Sequence, residues 1–274
     1  MGLHSFDAKD ADIILLSGEK HNSTEFRVHR CILAAASPFF YDMFTLPQSE
    51  PLDDSQLPVI PVSEPSCTID TLLRFIYPVQ DPHIDSLEQL VPIITAAAKY
   101  DLTAVLTSLR TILVSPCFAK AEPLRVYAIA SRFDFEEEAK IASKYTLNVN
   151  VLDAPLSDDL KFISAYAYHR LLDLHRRRVQ AALQMLKRPD DVKCMQCNGS
   201  PFSVYFAPKW WSEFENSARQ ELSVRPTTEV IFRMEFLAQA AISSGCQRCA
   251  GSVLDSWKFL QELQKSIDDL PATI

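Results

Sequence analysis

The sequence predicts an α+β module followed by an all-helical region, and three observations carry that expectation. Runs with the two-residue period of strands lie early in the chain, and none persists beyond Ser115. Strands and helices alternate there without any glycine-rich strand-to-helix turn, so a phosphate cradle has no seat. Beyond them apolar residues recur at helical spacing, and the helical segments are interrupted twice by Cys-x-x-Cys-x-Gly, at KCMQCNG (193–199) and GCQRCAG (245–251).

DIILLS (12–17) is a short apolar run fit for a buried strand, and EFRVH, with Phe26 and Val28 in alternation, is its hairpin partner. CILAAA then changes period: Ile32, Leu33 and Ala36 give a helical turn. Ser37 is placed to cap a second helix with Pro38 in its first position, and Phe39, Phe40, Met43 and Phe44 are its expected buried face. VIPVS (59–63) reads as a third strand. TIDTLLRFIYP reads as a helix with Ile69, Leu72, Leu73 and Ile76 inward, stopped by Pro78. SLEQLVPIITAAAKYDL and TAVLTSLRTILV are two further helices.

From there EPLRVYAIASRFDFEEEAKIAS divides into two short helices at Phe133-Asp134. SDDLKFISAYAYHRLLDLHRRRVQAALQMLKRP supports one long helix, with Ser157 as cap, Asp158 and Asp159 in its first turn and Pro189 beyond its end. Its expected apolar stripe is Tyr168, Leu172, Val179, Leu183 and Leu186. Three more helical segments follow, and their aromatic residues, Trp210, Trp211, Phe214, Phe232, Phe236, Trp257 and Phe259, are expected mostly in the core.

At 274 residues and a formal net charge of -8, the chain has room for two modules and a balance that disfavours nucleic-acid backbones and anionic membranes as main partners. No basic leader precedes an apolar run, and no apolar stretch is long enough to span a bilayer, so an intracellular, cytoplasmic or nuclear, protein is expected. In a reducing compartment the seven cysteines are free thiols, buried small residues or metal ligands; Cys31, Cys67 and Cys117 stand alone and are expected to be buried. Gly199, Gly245 and Gly251 are expected at tight turns.

The stretch FRVHRCILAAASPFFYDMF, with Asp12 and its strand before it, resembles the core motif of the BTB (POZ) domain. LLRFIYP is similar to that family's Leu-Leu-x-Phe-Ile-Tyr helix and AAAKYDLTAVL to its Lys-Tyr-x-Leu segment, so the resemblance covers about residues 5–115. It implies a small sheet capped by helices, acting without catalysis as a homodimer or heteromer-forming interaction module. It also implies that Asp12 and Arg30 line a charged groove at the dimer interface, beside the alternative that both are ordinary surface charges. Members that recruit cullin-3 often carry a hydrophobic residue two before a Glu in the following loop; here Gln48 precedes Ser49-Glu50, which weakens the inference of a cullin partner. Tyr77-Pro78-Val79 likewise departs from the common Tyr-Thr-Gly. Residues 116–190 resemble the BACK-like helical repeats that follow such domains, and 191–274 form a helical module with paired Cys-x-x-Cys elements. That order is similar, more loosely, to a group of fungal BTB-domain proteins.

Four accounts of the cysteine pairs compete. Haem attachment needs His after the second Cys, where Asn198 and Ala250 stand. A thioredoxin-like pair would follow a strand, and these neighbours are helical; packed thiols would not need a duplicated pattern. Zinc held by Cys194, Cys197, Cys246 and Cys249 leads, although the 48 residues between Cys197 and Cys246 exceed ribbon spacing. With four protein ligands the site is closed and structural. His175 has no second ligand one turn away and reads as a core histidine. Arg170 and Arg176 to Arg178 read as a solvated or acid-paired face rather than a nucleic-acid patch. The function expected is a non-enzymatic scaffold or adaptor. The alternatives are a BTB-type transcriptional regulator, for which no zinc finger is present, and an enzyme, for which no nucleophile elbow, phosphate loop or open metal site is present.

Overall fold

A computed structural model describes residues 6–18, 23–46, 57–187, 192–198 and 206–274. They form two compact units, Met1–Phe118 and Ala119–Ile274. The loop on which the cullin inference rests, together with Gly199 and Pro189, lies outside the described residues.

In the first unit β1 (Ile13–Ser17) and β2 (Thr24–Val28) pair antiparallel, with Leu15 opposite Phe26. β3 (Val59–Val62) joins β1 in parallel, giving the order β2-β1-β3. Central β1 is buried along nearly its whole length, whereas β2 alternates, with Phe26 and Val28 inside and Glu25 and Arg27 outside. Pro61, which has no N–H to donate, is tolerated because β3 is an edge strand.

The parallel step from β1 to β3 needs a crossover, and α1 (Arg30–Ala36) and α2 (Pro38–Thr45) lie within it. The Asp12 carboxylate accepts the N–H of Arg30 at 2.7 Å, so the first strand supplies the cap that His29 does not. Ser37 is fully buried. Its hydroxyl accepts the Phe40 N–H at 3.1 Å and donates to the Tyr100 carbonyl at 2.5 Å, capping α2 and fastening it to the end of α4 (Leu87–Lys99). α3 (Ser66–Ile76) buries Ile69, Leu72 and Leu73 and ends at Tyr77, whose hydroxyl accepts the His29 N–H at 2.8 Å. Asp101, at φ 50, turns the chain from α4 into α5 (Thr103–Leu113).

The second unit begins within α6 (Pro116–Ala121), a short helix that the sequence pattern did not announce. α7 (Pro123–Arg132) and α8 (Glu136–Thr146) meet at Asp134, φ 56, where the sequence predicted a joint. A 3₁₀ turn (Asp158–Phe162) leads to α9 (Ala165–Met185), and α10 (Lys209–Val224), α11 (Met234–Ser243), α12 (Cys249–Asp255) and α13 (Trp257–Asp268) complete it. α9 to α13 enclose an apolar core around Trp210, Trp211, Phe214, Leu222, Ile231 and Leu260.

The long helix does not start after Ser157. That residue caps only the 3₁₀ turn, Ile163 and Ser164 are extended, and Ser164 caps α9 by accepting the Ala167 N–H at 3.0 Å. The deeply buried seam of α9 is Leu171, Leu174, Arg178 and Ala182, rotated from the expected stripe, of which Leu186 alone is fully buried. Arg178 is therefore not on a solvated face: at 6% exposure it donates to the carbonyls of Pro226, Ile267, Leu270 and Pro271. The last predicted helix is two, broken at Ser256, and Trp257 at the start of α13 is 41% exposed because the core contacts begin a turn later at Leu260. Phe39 is 41% exposed beside a buried Phe40. Cys31, Cys67 and Cys117 are all exposed: each lies on a short helix whose phase points it outward, and this overrides the preference of cysteine for interiors. Gly251 sits inside α12 rather than in a turn.

Candidate metal centre

Cys194 and Cys197 lie in a turn between α9 and α10, while Cys246 and Cys249 lie in the turn that opens α12. The fold brings all four together, with every sulfur within 4.8 Å of the others. Cys194 Sγ is 3.7 Å from Cys246 Sγ, Cys197 Sγ is 3.8 Å from Cys249 Sγ, and Cys194 and Cys249 are 4.0 Å apart. A tetrahedral ion bound to four thiolates at about 2.3 Å sets its sulfurs about 3.8 Å apart. The donor set therefore fits such an ion in both chemistry and spacing.

Each turn is built to present its pair. In the first, the buried amide of Asn198 accepts the Cys194 N–H at 2.5 Å and donates to the carbonyls of Phe206 (3.0 Å) and Val192 (3.4 Å). Asn198, whose identity excludes haem attachment, thus positions Cys194, and its place directly after the second cysteine is the sequence signal of that role. In the second, Gly245 at φ 64 turns the chain out of α11, the Ser244 hydroxyl accepts the Cys246 N–H at 3.2 Å, and the Cys249 N–H bonds the Cys246 carbonyl at 3.1 Å. Ser252 on α12 joins the two turns: its hydroxyl donates to the Lys193 carbonyl at 3.0 Å and accepts the Trp210 indole N–H at 2.9 Å.

The protons are held unevenly. Burial raises Cys194, but the N–H groups of Cys197 and Gln196 together with the neighbouring Cys197 and Cys246 thiols bring it below its usual range. Burial pushes Cys197 and Cys249 up, although the N–H of Lys209, 3.5 Å from Cys197 Sγ, and that of Trp210 at Cys249 oppose it. A thiolate at Cys194 is favoured by these N–H and S–H donors, and further thiolates packed against it need a cation.

The other sequence-predicted positions do not join this site. His175 is half-buried on α9, its Nε2 is 3.1 Å from the Thr146 hydroxyl, and burial lowers its pKa to about 4, as a core histidine requires. Arg170 pairs with Glu136 at 2.8 Å, and Arg176 and Arg177 pair with Asp173 at 3.3 and 2.7 Å, so these three form the acid-paired face expected. In the first unit Asp12 meets Arg30 through the main chain, while the Arg30 guanidinium lies 5.7 Å from the centre of the Phe44 ring.

No helix among the described residues is long and apolar enough to cross a membrane. No curated protein matches the chain. A family model of the BTB/POZ domain, a protein-interaction module, matches residues 4–116. That range holds the three-stranded sheet with its helices, the Ser37 cap and the His29–Tyr77 contact, so residues 4–116 are a BTB/POZ domain.

Proposed function

We propose that this protein is a non-enzymatic interaction scaffold or adaptor, in which the BTB domain self-associates and a zinc-stapled helical module extends the binding surface. The observation that carries the reading is the BTB/POZ match over residues 4–116. In this reading residues 116–190 are the BACK-like extension and 191–274 the module that Cys194, Cys197, Cys246 and Cys249 close around one zinc ion. Asp12 and Arg30 would belong to a charged groove at a symmetric dimer interface. An adaptor that recruits a cullin is the finer form of the proposal. The regulator alternative is weaker, because the net charge is -8 and Arg170, Arg176 and Arg177 already face acids.

The test combines light scattering and elemental analysis on the full chain purified without chelator. A dimer or larger species carrying one zinc per chain is expected. A strict monomer at concentrations of tens of micromolar overturns self-association, and near-zero zinc with intact C-terminal helices overturns the staple.

A further inference from the structure

The four cysteines proposed above as the ligands of one ion lie within 4.8 Å of one another, which also admits bonding between them. Two close sulfur contacts, 3.7 Å for Cys194–Cys246 and 3.8 Å for Cys197–Cys249, run across the two turns. Each cross pair joins one fully buried sulfur residue, Cys194 or Cys249, to one that is partly exposed, Cys246 or Cys197. Cys246 also lines an open apolar cavity of about 540 Å³ between α11 and α12, walled by Leu237, Ala241, Ile242, Val253 and Leu254, with room for a small uncharged oxidant. We infer that a hydroperoxide converts this cluster to two cross-turn disulfides, Cys194–Cys246 and Cys197–Cys249, which replace the ion and keep the second unit folded. The inference rests on the cluster proposed above as the zinc site, but its outcome is read independently of metal.

The Cys246 thiolate attacks the O–O bond of the peroxide; an S–O bond forms, the O–O bond breaks and hydroxide (or alkoxide) leaves, taking a proton. The Cys194 thiolate then attacks the Cys246 sulfur, an S–S bond forms, the S–O bond breaks and a second hydroxide leaves, again taking a proton. Two electrons pass from the sulfur pair to one peroxide, and a second peroxide does the same for Cys197 and Cys249. A disulfide sulfur carries no thiolate charge, so the ion-bound and doubly oxidised states exclude one another. A dithiol reverses both steps by exchange. Because both new bonds tie the segment after α9 to the start of α12, the oxidised chain keeps the connection that the ion would make, whereas disulfides formed within each loop would sever it.

The experiment uses the full chain with the exposed Cys31, Cys67 and Cys117 replaced by serine, so that only the cluster reports. Zinc content is measured first, which tests the metal reading alone. Hydrogen peroxide is then added, and zinc release, non-reducing peptide mapping and far-UV circular dichroism are followed. Cross-linked peptides pairing 194 with 246 and 197 with 249, unchanged helicity, and recovery of four thiols with dithiothreitol are expected, with or without zinc at the start. Disulfides confined to 194–197 and 246–249, conversion to sulfinic acids, or loss of helicity on oxidation would each overturn it.

Discussion

Replacing Arg178 by methionine and, separately, its neighbour Arg177 by methionine should give opposite results from adjacent residues of the same basic run. Arg178 donates from Nε to Pro226 O at 2.8 Å, from Nη2 to Ile267 O at 3.0 Å, and from Nη1 to Pro271 O at 3.0 Å and to Leu270 O. Charge-assisted bonds contribute about 1.5–3 kcal/mol each, and the cost of burying the guanidinium, which lowers its pKa, cancels a large part of their sum. Methionine keeps the apolar stem but takes the guanidinium donor from four carbonyls, of which Ile267 O retains the Leu270 N–H, so a loss of about 3–5 kcal/mol is expected. Arg177 is exposed and pairs only across one helical turn with Asp173, so its replacement should change stability by about 0.5 kcal/mol or less. All three tryptophans lie in the second unit, so tryptophan fluorescence during urea unfolding reports that unit alone. Coincident midpoints for the two variants would refute the assignment of Arg178 as the clamp on the end of α13.

Two glycines predict opposite signs. A side chain added at Gly245 or Gly251 meets nothing within 4 Å, so only backbone preference decides. Gly245→Ala should cost about 1 kcal/mol at φ 64, while Gly251→Ala should add about 0.5 kcal/mol within α12; thermal melts that move the same way for both would contradict this. His175 sets a pH dependence. Its pKa is lowered from 6.5 to about 4, so below pH 6.5 the unfolded chain takes up a proton that the folded chain refuses. Stability that is complete above pH 6.5 is lost as the pH falls toward 4, by at most about 3 kcal/mol. His175→Gln should flatten that window in urea titrations monitored by fluorescence, with zinc content followed in parallel; an unchanged slope would show that another group dominates.

What the sequence determined by itself is local. Ser37-Pro38 marks a helix start because a cap and a fixed φ act over a few residues, and Asp134 marks a joint for the same reason. The β1–β2 hairpin follows from a period of two and the BTB resemblance from motifs a few residues long. The two Cys-x-x-Cys loops were visible for that reason also, but not the sulfur contacts between them. Those depend on Ser252 reaching Lys193 and Trp210 from α12, a meeting of segments that only the folded core imposes. Periodicity likewise could not choose the buried side of α9. Its residues are apolar around much of the circumference, and the choice fell to partners distant in the chain: the end of α13 and the Pro226 turn, whose carbonyls accept the Arg178 guanidinium. Exposure of Cys31, Cys67 and Cys117 was decided the same way, by which face each helix turned to its neighbours. A residue's type biases that choice by a fraction of the free energy that packing a whole helix face commits.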